Sequence, residues 1–540
     1  MYQAKNVYLI CGLCSIGGAL FGYDISSMSG VIGTAAYKRY FGDPRSYAQG
    51  GITASMPAGS FVGSLASSFI ADKFSRKTAL QVGCILWIIG STIQCASLNI
   101  PMLCTGRVIS GLCVGIASSI VPVYMSEIAP KETRGRVVSL QQWAITWGIL
   151  IGYFLQYICS SIGGGPSNPN QPESAFRIPW GLQMIPAFFL AASLPFFPYS
   201  PRWLASQDRW EEAVQVIADL HGGGDVNHAK VLAEYREIEE ALRFEREEAV
   251  SSFGALVRPR VFKRVVLGMM VQMWSQLSGI NAMMYYVVYI VETAQIGSPL
   301  STAAIQYVLN VVLTLPAILF LDKIGRRPTF ITGSFFQMIF LLIAGALLAI
   351  YGQPNTNQDD SNITWIVVNN VPASSAVVAT SYLFVAAYAM TWGPTSWAYA
   401  AEIPPPRVRA MAVGISTASN WLWNMVLAFA VPPLLWNINW KMHMIFAAFN
   451  GAACVHMFLF AHETAGLTLE EMDELFDSGR PAWRPNKPSR LDALQKDIEQ
   501  GNVQVSAPGS AGSMEPEGDG DKVFALARIE RIQPQEEPAK

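Results

Sequence analysis

Between Gln272 and Tyr286 the chain reads Q-M-W-S-Q-L-S-G-I-N-A-M-M-Y-Y, inside an apolar run from about Val265 to Val291. Roughly 20 residues rising about 1.5 Å each cross the hydrocarbon core of a bilayer. The run is therefore long enough to span one, yet Gln276, Ser278, Gly279, Asn281, Tyr285 and Tyr286 stand within it. Carboxamides at that depth cost free energy unless something hydrogen-bonds them. Gln276 and Asn281 are five residues apart, about 140° around a helix; with Gly279 breaking the regular turn, both can face one aqueous cavity. Amides that donate and accept suit a neutral polyhydroxylated ligand. A second reading stays open, in which these amides only hold helices together.

A second chemical signal is Asp24, in the apolar stretch G-A-L-F-G-Y-D-I. An ionised carboxylate near the bilayer centre costs roughly 2.5–3.5 kcal/mol on insertion scales, so it needs a partner or a proton. Arg107, in G-R-V-I-S-G, is the arginine well inside an apolar segment of the first half. The pair can hold Asp24 ionised in one conformation, and its separation in another would favour proton uptake. A permanent salt bridge without a coupling role is the alternative.

The elements that must position these groups are membrane helices. The chain has 540 residues, 51% of them hydrophobic and only 14% charged, and a mean hydropathy of +0.29, a composition of a polytopic membrane protein rather than a soluble domain. Apolar segments lie near 7–33, 52–71, 79–98, 102–125, 137–158, 179–197, 263–291, 301–321, 328–350, 374–401, 409–434 and 442–461, six on each side of a polar insert. The fold expected is all-α, with twelve transmembrane helices in two six-helix halves. The first segment shows no cleavage pattern and is expected to remain as a membrane helix. The net charge of −2 singles out no nucleic-acid partner. Eight cysteines and five histidines fall into no disulfide framework or metal-ligand spacing, and no nucleophile and base stand together, so neither an enzyme nor a metal site is expected.

Lys and Arg in the short connections set the orientation. Lys73, Arg76, Lys77, Lys131, Arg134, Arg136, Lys323, Arg326, Arg327, Arg407 and Arg409 lie on one side, and Lys38, Arg39, Arg45, Arg177 and Lys441 on the other. Eleven against five puts the first side, the insert and both termini in the cytoplasm. The sequon Asn362-Ile363-Thr364 then falls outside, where it can be glycosylated. The boundaries expected are 1–200 for the N-terminal half, 201–260 for a cytoplasmic helical linker, 261–476 for the C-terminal half and 477–540 for a disordered tail rich in Pro, Gly, Glu and Ser. Partners of the tail are not legible.

The halves repeat each other. D-K-F-S-R-K at 72–77 matches D-K-I-G-R-R at 322–327, and E-I-A-P-K-E-T-R at 127–134 matches E-I-P-P-P-R-V-R at 402–409. Duplicated halves with a site between them near the midplane are a transporter architecture. The basic loops also contain acids, so Asp72, Lys73, Arg76, Glu127, Arg134, Arg202, Asp322, Arg326, Arg327, Glu402, Arg409 and Glu463 can form a charge network that closes the inner side. Positive-inside topology accounts for the basic members alone.

Over 6–476 the chain resembles the sugar porter family of the major facilitator superfamily. The words that carry the resemblance are G-R-x-x-x-G at 106–111, V-P-V-Y-x-x-E at 121–127, R-G at 134–135, S-P-R-W-L at 200–204, Q-L-S-G-I-N at 276–281, D-K-x-G-R-R at 322–327 and S-N-W at 419–421. The runs G-G-I-T-A-S-M at 50–56, W-G-L-Q-M at 180–184, M-M-Y-Y at 283–286 and I-Q-Y-V-L-N-V-V at 305–312 look like the fungal high-affinity glucose transporters. The resemblance implies the major facilitator fold in a plasma-membrane carrier for a monosaccharide, D-glucose foremost. It implies sugar contacts at Gln142, Gln276, Asn281, Asn310, Trp397, Glu402, Asn420, Trp421 and Asn424. No cofactor is implied beyond a proton as coupling ion, with Asp24 and Arg107 at the coupling site. Facilitated diffusion, a non-transporting sugar sensor, and a carrier for another polyol or disaccharide are the rival functions.

This chain departs from the family pattern at several points. Ser275 stands where a second Gln usually precedes Gln276, Ser68 and Ser75 replace glycines, Tyr199 replaces the Glu of P-E-S-P-R, and His462 and Ala465 alter P-E-T-K-G. The first removes a long amide from the site; the others predict a weaker inner network.

Overall fold

The computed structural model describes residues 5–29, 31, 34–42, 46–130, 132–165, 168–247, 258–285, 299–354, 365–367, 370–405, 408–468, 471–477 and 481–484, with 256, 496, 503–504 and 530–531. The first half comprises α1 (Val7–Cys14), α2 (Ile16–Ser29), α3 (Ala35–Phe41), α4 (Ser46–Lys73), α5 (Arg76–Cys95), α6 (Ile100–Ile128), α7 (Arg134–Ser160), α8 (Ser174–Leu182) and α9 (Met184–Ser193). Three helices follow, α10 (Pro201–Ser206), α11 (Trp210–His221) and α12 (Ala229–Glu247). The second half comprises α13 (Pro259–Leu277), α14 (Ile280–Tyr285), α15 (Pro299–Ile324), α16 (Arg326–Tyr351), α17 (Val371–Met390), α18 (Trp392–Glu402), α19 (Arg409–Ile438) and α20 (Lys441–Phe460), with α21 (Glu471–Asp477) beyond it. A short antiparallel pair, β1 (Gly352–Pro354) and β2 (Trp365–Val367), follows α16. Local chemistry starts several helices: Asn99 accepts from the Met102 N–H, Ser200 from Trp203 and Asn370 from Ala373, each with a proline in the first turn.

Among the described residues nine helical stretches are long and apolar enough to cross a membrane. The expected spans represented by α4, α13 and α19 are helical but fall outside that group. Polar content accounts for two of them, since α4 carries several serines and α19 holds Ser416, Thr417, Ser419, Asn420 and Asn424 on its inner side; α13 begins with Arg260, Lys263 and Arg264, and the expected seventh span beyond 285 lies outside the described residues. The bundle has the inverted polarity expected of a protein solvated by lipid. Phe69, Ile85, Phe189 and Ile350 are exposed, whereas Gln94, Gln272, Gln337 and Asn420 are buried. The sequon at Asn362 and most of 477–540 lie outside the described residues; within the tail, Val503–Gln504 pairs with Glu530–Arg531.

The repeat seen in the sequence is also a repeat in space. The halves meet where α4 packs on α19 and where α7 packs on α15. Exchanging the halves turns α4 into α15 and α7 into α19, so one contact maps onto the other. Within the first half α4 and α6 approach to backbone contact: a Cβ on Gly59 or Gly63 would strike the α6 main chain, and one on Gly111 or Gly115 the α4 main chain. The helices α10–α12 bury Trp203, Val214, Ile217, Val231 and Tyr235 against one another, and dock on the end of the bundle that carries the repeated basic loops, called here the basic end.

Candidate functional site

Gly279 adopts φ +93°, and the seventh span breaks there between α13 and α14. The break brings Gln276 and Asn281 together, with Asn281 Nδ2 donating to Gln276 Oε1. Gln276 Nε2 donates to Asn420 Oδ1 at 2.6 Å, and Asn424 Nδ2 lies 3.5 Å from Gln276 Oε1. Gln276 is thus the centre of a four-amide cluster shared by α13, α14 and α19. Two buried atoms at the expected site lack a partner among the described residues, Asn420 Nδ2 and Asn310 Oδ1. One is a donor and the other an acceptor, the pairing a hydroxyl satisfies.

The opposite half reaches the same region. Trp397 Nε1 on α18 donates to Gln142 Oε1 on α7 at 3.1 Å, and Gly393 leaves room for the Gln142 amide. One turn before the hub, Gln272 Nε2 donates to the Ser396 carbonyl beside Trp397 at 3.3 Å, which joins the two groups of residues. Trp421 Nε1 donates to Ser118 Oγ on α6 at 3.2 Å, and Phe21 meets the Trp421 ring edge-on at 4.7 Å between centroids. Both indoles therefore bridge the halves from buried positions, Trp397 beside the Gln142 amide and Trp421 beside Asn420 in the chain.

Asp24 is fully buried on α2, and Arg107 Nη2 on α6 stands 3.5 Å from its Oδ2. Arg107 Nε donates to the Ile52 carbonyl at 3.1 Å, and among the described residues the Asp24 carboxylate oxygens make no hydrogen bond of regular geometry.

At the basic end the repeat is a charge network. Arg76 holds Glu127 with two bonds of 3.1 Å, and Arg326 holds Glu402 at 3.1 and 2.7 Å in the mirrored place. Arg202 Nη1 donates to the Glu127 carbonyl at 2.9 Å. Links also cross between the halves. Asp322 accepts from the Gly135 and Arg136 N–H groups at 2.9 and 2.8 Å, at the α7 N-terminus, and Arg134 Nη1 donates to the Leu467 carbonyl at 3.2 Å. Glu463 caps α16 through the Arg326 and Arg327 N–H groups at 2.9 and 3.1 Å. The basic end is closed in this conformation.

Three sequence expectations need correction. Glu402 is not among the amides; its oxygens are engaged by Arg326 and, at 2.6 Å, by Thr464, which puts it in the charge network instead. Among the described residues Lys73 meets no acid, and its ammonium lies 5.5 and 5.4 Å from the Phe69 and Phe74 ring centres. The Arg327 guanidinium donates to the Phe458 carbonyl at 3.0 Å and covers that ring, so only its backbone joins the network. Arg409 donates to the Pro404 carbonyl at 3.2 Å within its own half. Asp72 pairs with Arg76 at 3.3 Å.

Sequence reasoning missed Ser118, Tyr388 and the His221–Glu234 pair. His221 on α11 is hydrogen-bonded through Nδ1 to Glu234 on α12 at 2.7 Å and through Nε2 to the Ile128 carbonyl at the end of α6 at 3.0 Å. Burial pushes the Glu234 carboxyl up, but His221 beside it, with Arg202 and Arg134, overcomes this and holds it at about 2. Burial likewise disfavours the His221 cation, yet Glu234 and the Ile128 carbonyl raise its pKa above the usual imidazole value. No spacing in the sequence signals this pair, because the partners come from separate helices.

A family model described as "Sugar (and other) transporter" matches residues 10–476. The chain is 60% identical to an MFS glucose transporter of Aspergillus flavus, over 94% of this chain and 96% of that protein. It is 43% identical to a high-affinity glucose transporter of Kluyveromyces lactis, over 89% and 86% of the two chains. Its fold matches the proton:xylose symporter XylE bound to 6-bromo-6-deoxy-D-glucose, with a TM-score of 0.75 and 26% identity over 88% of this chain and 100% of that one.

Proposed function

The chain belongs to the sugar transporter family of the major facilitator superfamily, and from that premise we propose that it carries a monosaccharide, D-glucose foremost, by alternating access in symport with protons. The observation that carries the sugar reading is the amide cluster on Gln276, with unpartnered Asn420 Nδ2 and Asn310 Oδ1, opposite Gln142 and two half-bridging indoles. Amides exchange hydrogen bonds with sugar hydroxyls, and the indole faces cover C–H groups. Glucose is favoured by the names of the two fungal relatives. The basic end, with the insert and both termini, faces the cytoplasm of a plasma-membrane carrier, in keeping with the excess of Lys and Arg there.

Coupling is assigned to Asp24. The Asp24–Arg107 pair supports a cycle in which the acid is ionised while paired and binds a proton when Arg107 moves away. A proton crossing about 100 mV releases about 2.3 kcal/mol, enough for roughly fiftyfold accumulation at one-to-one stoichiometry.

The test is uptake of labelled glucose or a non-metabolised analogue by a yeast lacking hexose carriers, with and without a protonophore, for wild type and Asp24→Asn. Accumulation that collapses with protonophore, and is lost in Asp24→Asn while counterflow survives, is the expected result. Equilibration indifferent to protonophore leaves a facilitator, and no uptake of any sugar by surface-localised protein puts the sensor and other-solute readings ahead.

A further inference from the structure

The span α16 begins at Arg326 and the span α20 ends at Phe460, so these two termini share one level at the basic end. There the Arg327 guanidinium lies 5.0 Å from the Phe458 ring centre and donates to the Phe458 carbonyl. Trp483, from the chain beyond α21, stacks on the same Phe458 ring with 6.3 Å between centroids and 8° between planes. Residues 481–484 form a turn in which the Arg484 N–H donates to the Pro481 carbonyl at 3.1 Å; Ala482 is buried, while Trp483 and Arg484 are exposed. The path from α20 to this turn is fixed along its length. Arg134 of the first half holds the Leu467 carbonyl, and Phe476 lies 4.9 Å from the Arg264 guanidinium and 4.8 Å from the His462 ring. A strap crossing the basic end thus delivers the turn to the rim of the second half.

The rim offers apolar faces and positive charge at one depth. Trp483 is 54% exposed, and its ring continues the outward face of α20, where Val455, Phe458 and Leu459 are exposed at helical spacing. That face is the one a bilayer solvates, so the indole stands where the span meets the headgroups, the position tryptophan favours. Lys323, in the turn before α16, and Arg484 are both exposed, and among the described residues neither meets an acid. The sequence around the turn has the same sign. Residues 478–490 read S-G-R-P-A-W-R-P-N-K-P-S-R, with four basic residues and no acid, directly after the acidic stretch 470–477.

We propose that the 481–484 turn, with Lys323 and Arg327, is a docking surface for the anionic phospholipid headgroups of the cytoplasmic leaflet. Trp483 lies in the interface, and the cations take the phosphate and carboxylate oxygens of the lipid. The proposal rests on the reading that the basic end faces the cytoplasm, whose leaflet carries the negative lipid. It puts the start of the tail on the membrane, where composition alone predicts a disordered segment from 477.

The experiment uses the full chain in nanodiscs of phosphatidylcholine, alone or mixed with phosphatidylserine, and follows amide hydrogen exchange at 478–490. Phosphatidylserine is expected to slow exchange there by at least about tenfold, and Arg484→Gln and Lys323→Gln each to return about fivefold of it, the weight of one cation at an anionic surface. Added salt should reverse the phosphatidylserine effect, and Trp483→Ala should speed exchange in both lipids. Unchanged exchange within α16 and α20 shows that the variants are folded. Equal exchange in the two lipids overturns the proposal and leaves an aromatic stack without lipid recognition, as does full protection retained in both charge variants. Protection by inorganic phosphate in detergent, without a bilayer, overturns it in favour of a soluble anion. The orientation fails separately: a nanodisc presents the same lipid on both faces, whereas cleavage of the tail by protease added to intact cells would remove the cytoplasmic placement.

Discussion

Gln276 donates to Asn420 and accepts from Asn281 and Asn424, so its removal does more than delete one sugar contact. Three amides would be left to find partners in a low-dielectric interior, where an unsatisfied polar group costs about 1–3 kcal/mol. Gln276→Ala is therefore expected to weaken sugar binding by at least about tenfold, with the protein still at the membrane surface. Half-saturation in counterflow checks this, and a loss below twofold would mean the cluster is structural. Glu402 shows the opposite case. Its type suits a sugar contact, but both oxygens are occupied by Arg326 and Thr464, and a carboxylate held by two guanidinium bonds is unavailable to a neutral ligand. Residue type alone did not separate these roles, because a Glu at the end of a polar helix fits either.

At the scale of elements, His221 connects three helices at once. Both ring nitrogens face oxygens, the Glu234 carboxylate and the Ile128 carbonyl, and only the imidazolium can donate to both. The pKa of His221 is raised above 6.5 in the fold, so its stabilisation is complete below the unfolded value and is lost as pH rises through the folded one. Glu234 is held at about 2 against 4.5, so its contribution is present above the unfolded value and is lost only as pH falls toward 2. Docking of α11 and α12 on α6 is thus firmest between about pH 4.5 and 6.5. The unfolding temperature of purified protein should fall by roughly 2–4 °C as pH rises from 6 to 8.5, and His221→Gln should be less stable at pH 6 and flatter across that range. Equal slopes would remove His221 as the cause. Helices of this kind mark what the sequence makes legible. Hydropathy, the Gly279 break and the repeated D-K-x-x-R-K/R and E-I-x-P words locate spans, hub and network, since each depends on local composition. The Trp421–Ser118 and Ser275–Tyr388 contacts join residues far apart in the chain, His221–Glu234 joins two consecutive helices, and no local pattern encodes which helix face meets which.

The whole molecule is two halves related by an internal two-fold that its closing contacts obey only in part. Arg76–Glu127 and Arg326–Glu402 are true mirror images. The acids one helical turn before them are not. Asp322 is 11% exposed and accepts two N–H groups at the α7 N-terminus, where Gly135 leaves the space a Cβ would fill, whereas Asp72 is 39% exposed and bonds Arg76 alone among the described residues. The helix caps differ too. Glu463 caps α16, but at the corresponding place Tyr199 lies under Lys77 and Arg209 at 5.2 and 5.6 Å, leaving Ser75 to cap α5 from a strained φ of 133°. Closure of the basic end therefore depends on the second half gripping the first through Asp322. Removing charge-assisted hydrogen bonds of about 1.5–3 kcal/mol each should shift the balance toward the open basic end by about tenfold or more. In purified protein, Asp322→Asn is expected to speed amide hydrogen exchange at the start of α7 and to lower apparent sugar affinity from the side opposite the basic end, because fewer molecules present the site there. Asp72→Asn should leave both nearly unchanged. Equal effects of the two substitutions would mean that the gate is symmetric in solution and that the imbalance between Asp322 and Asp72 does not govern opening.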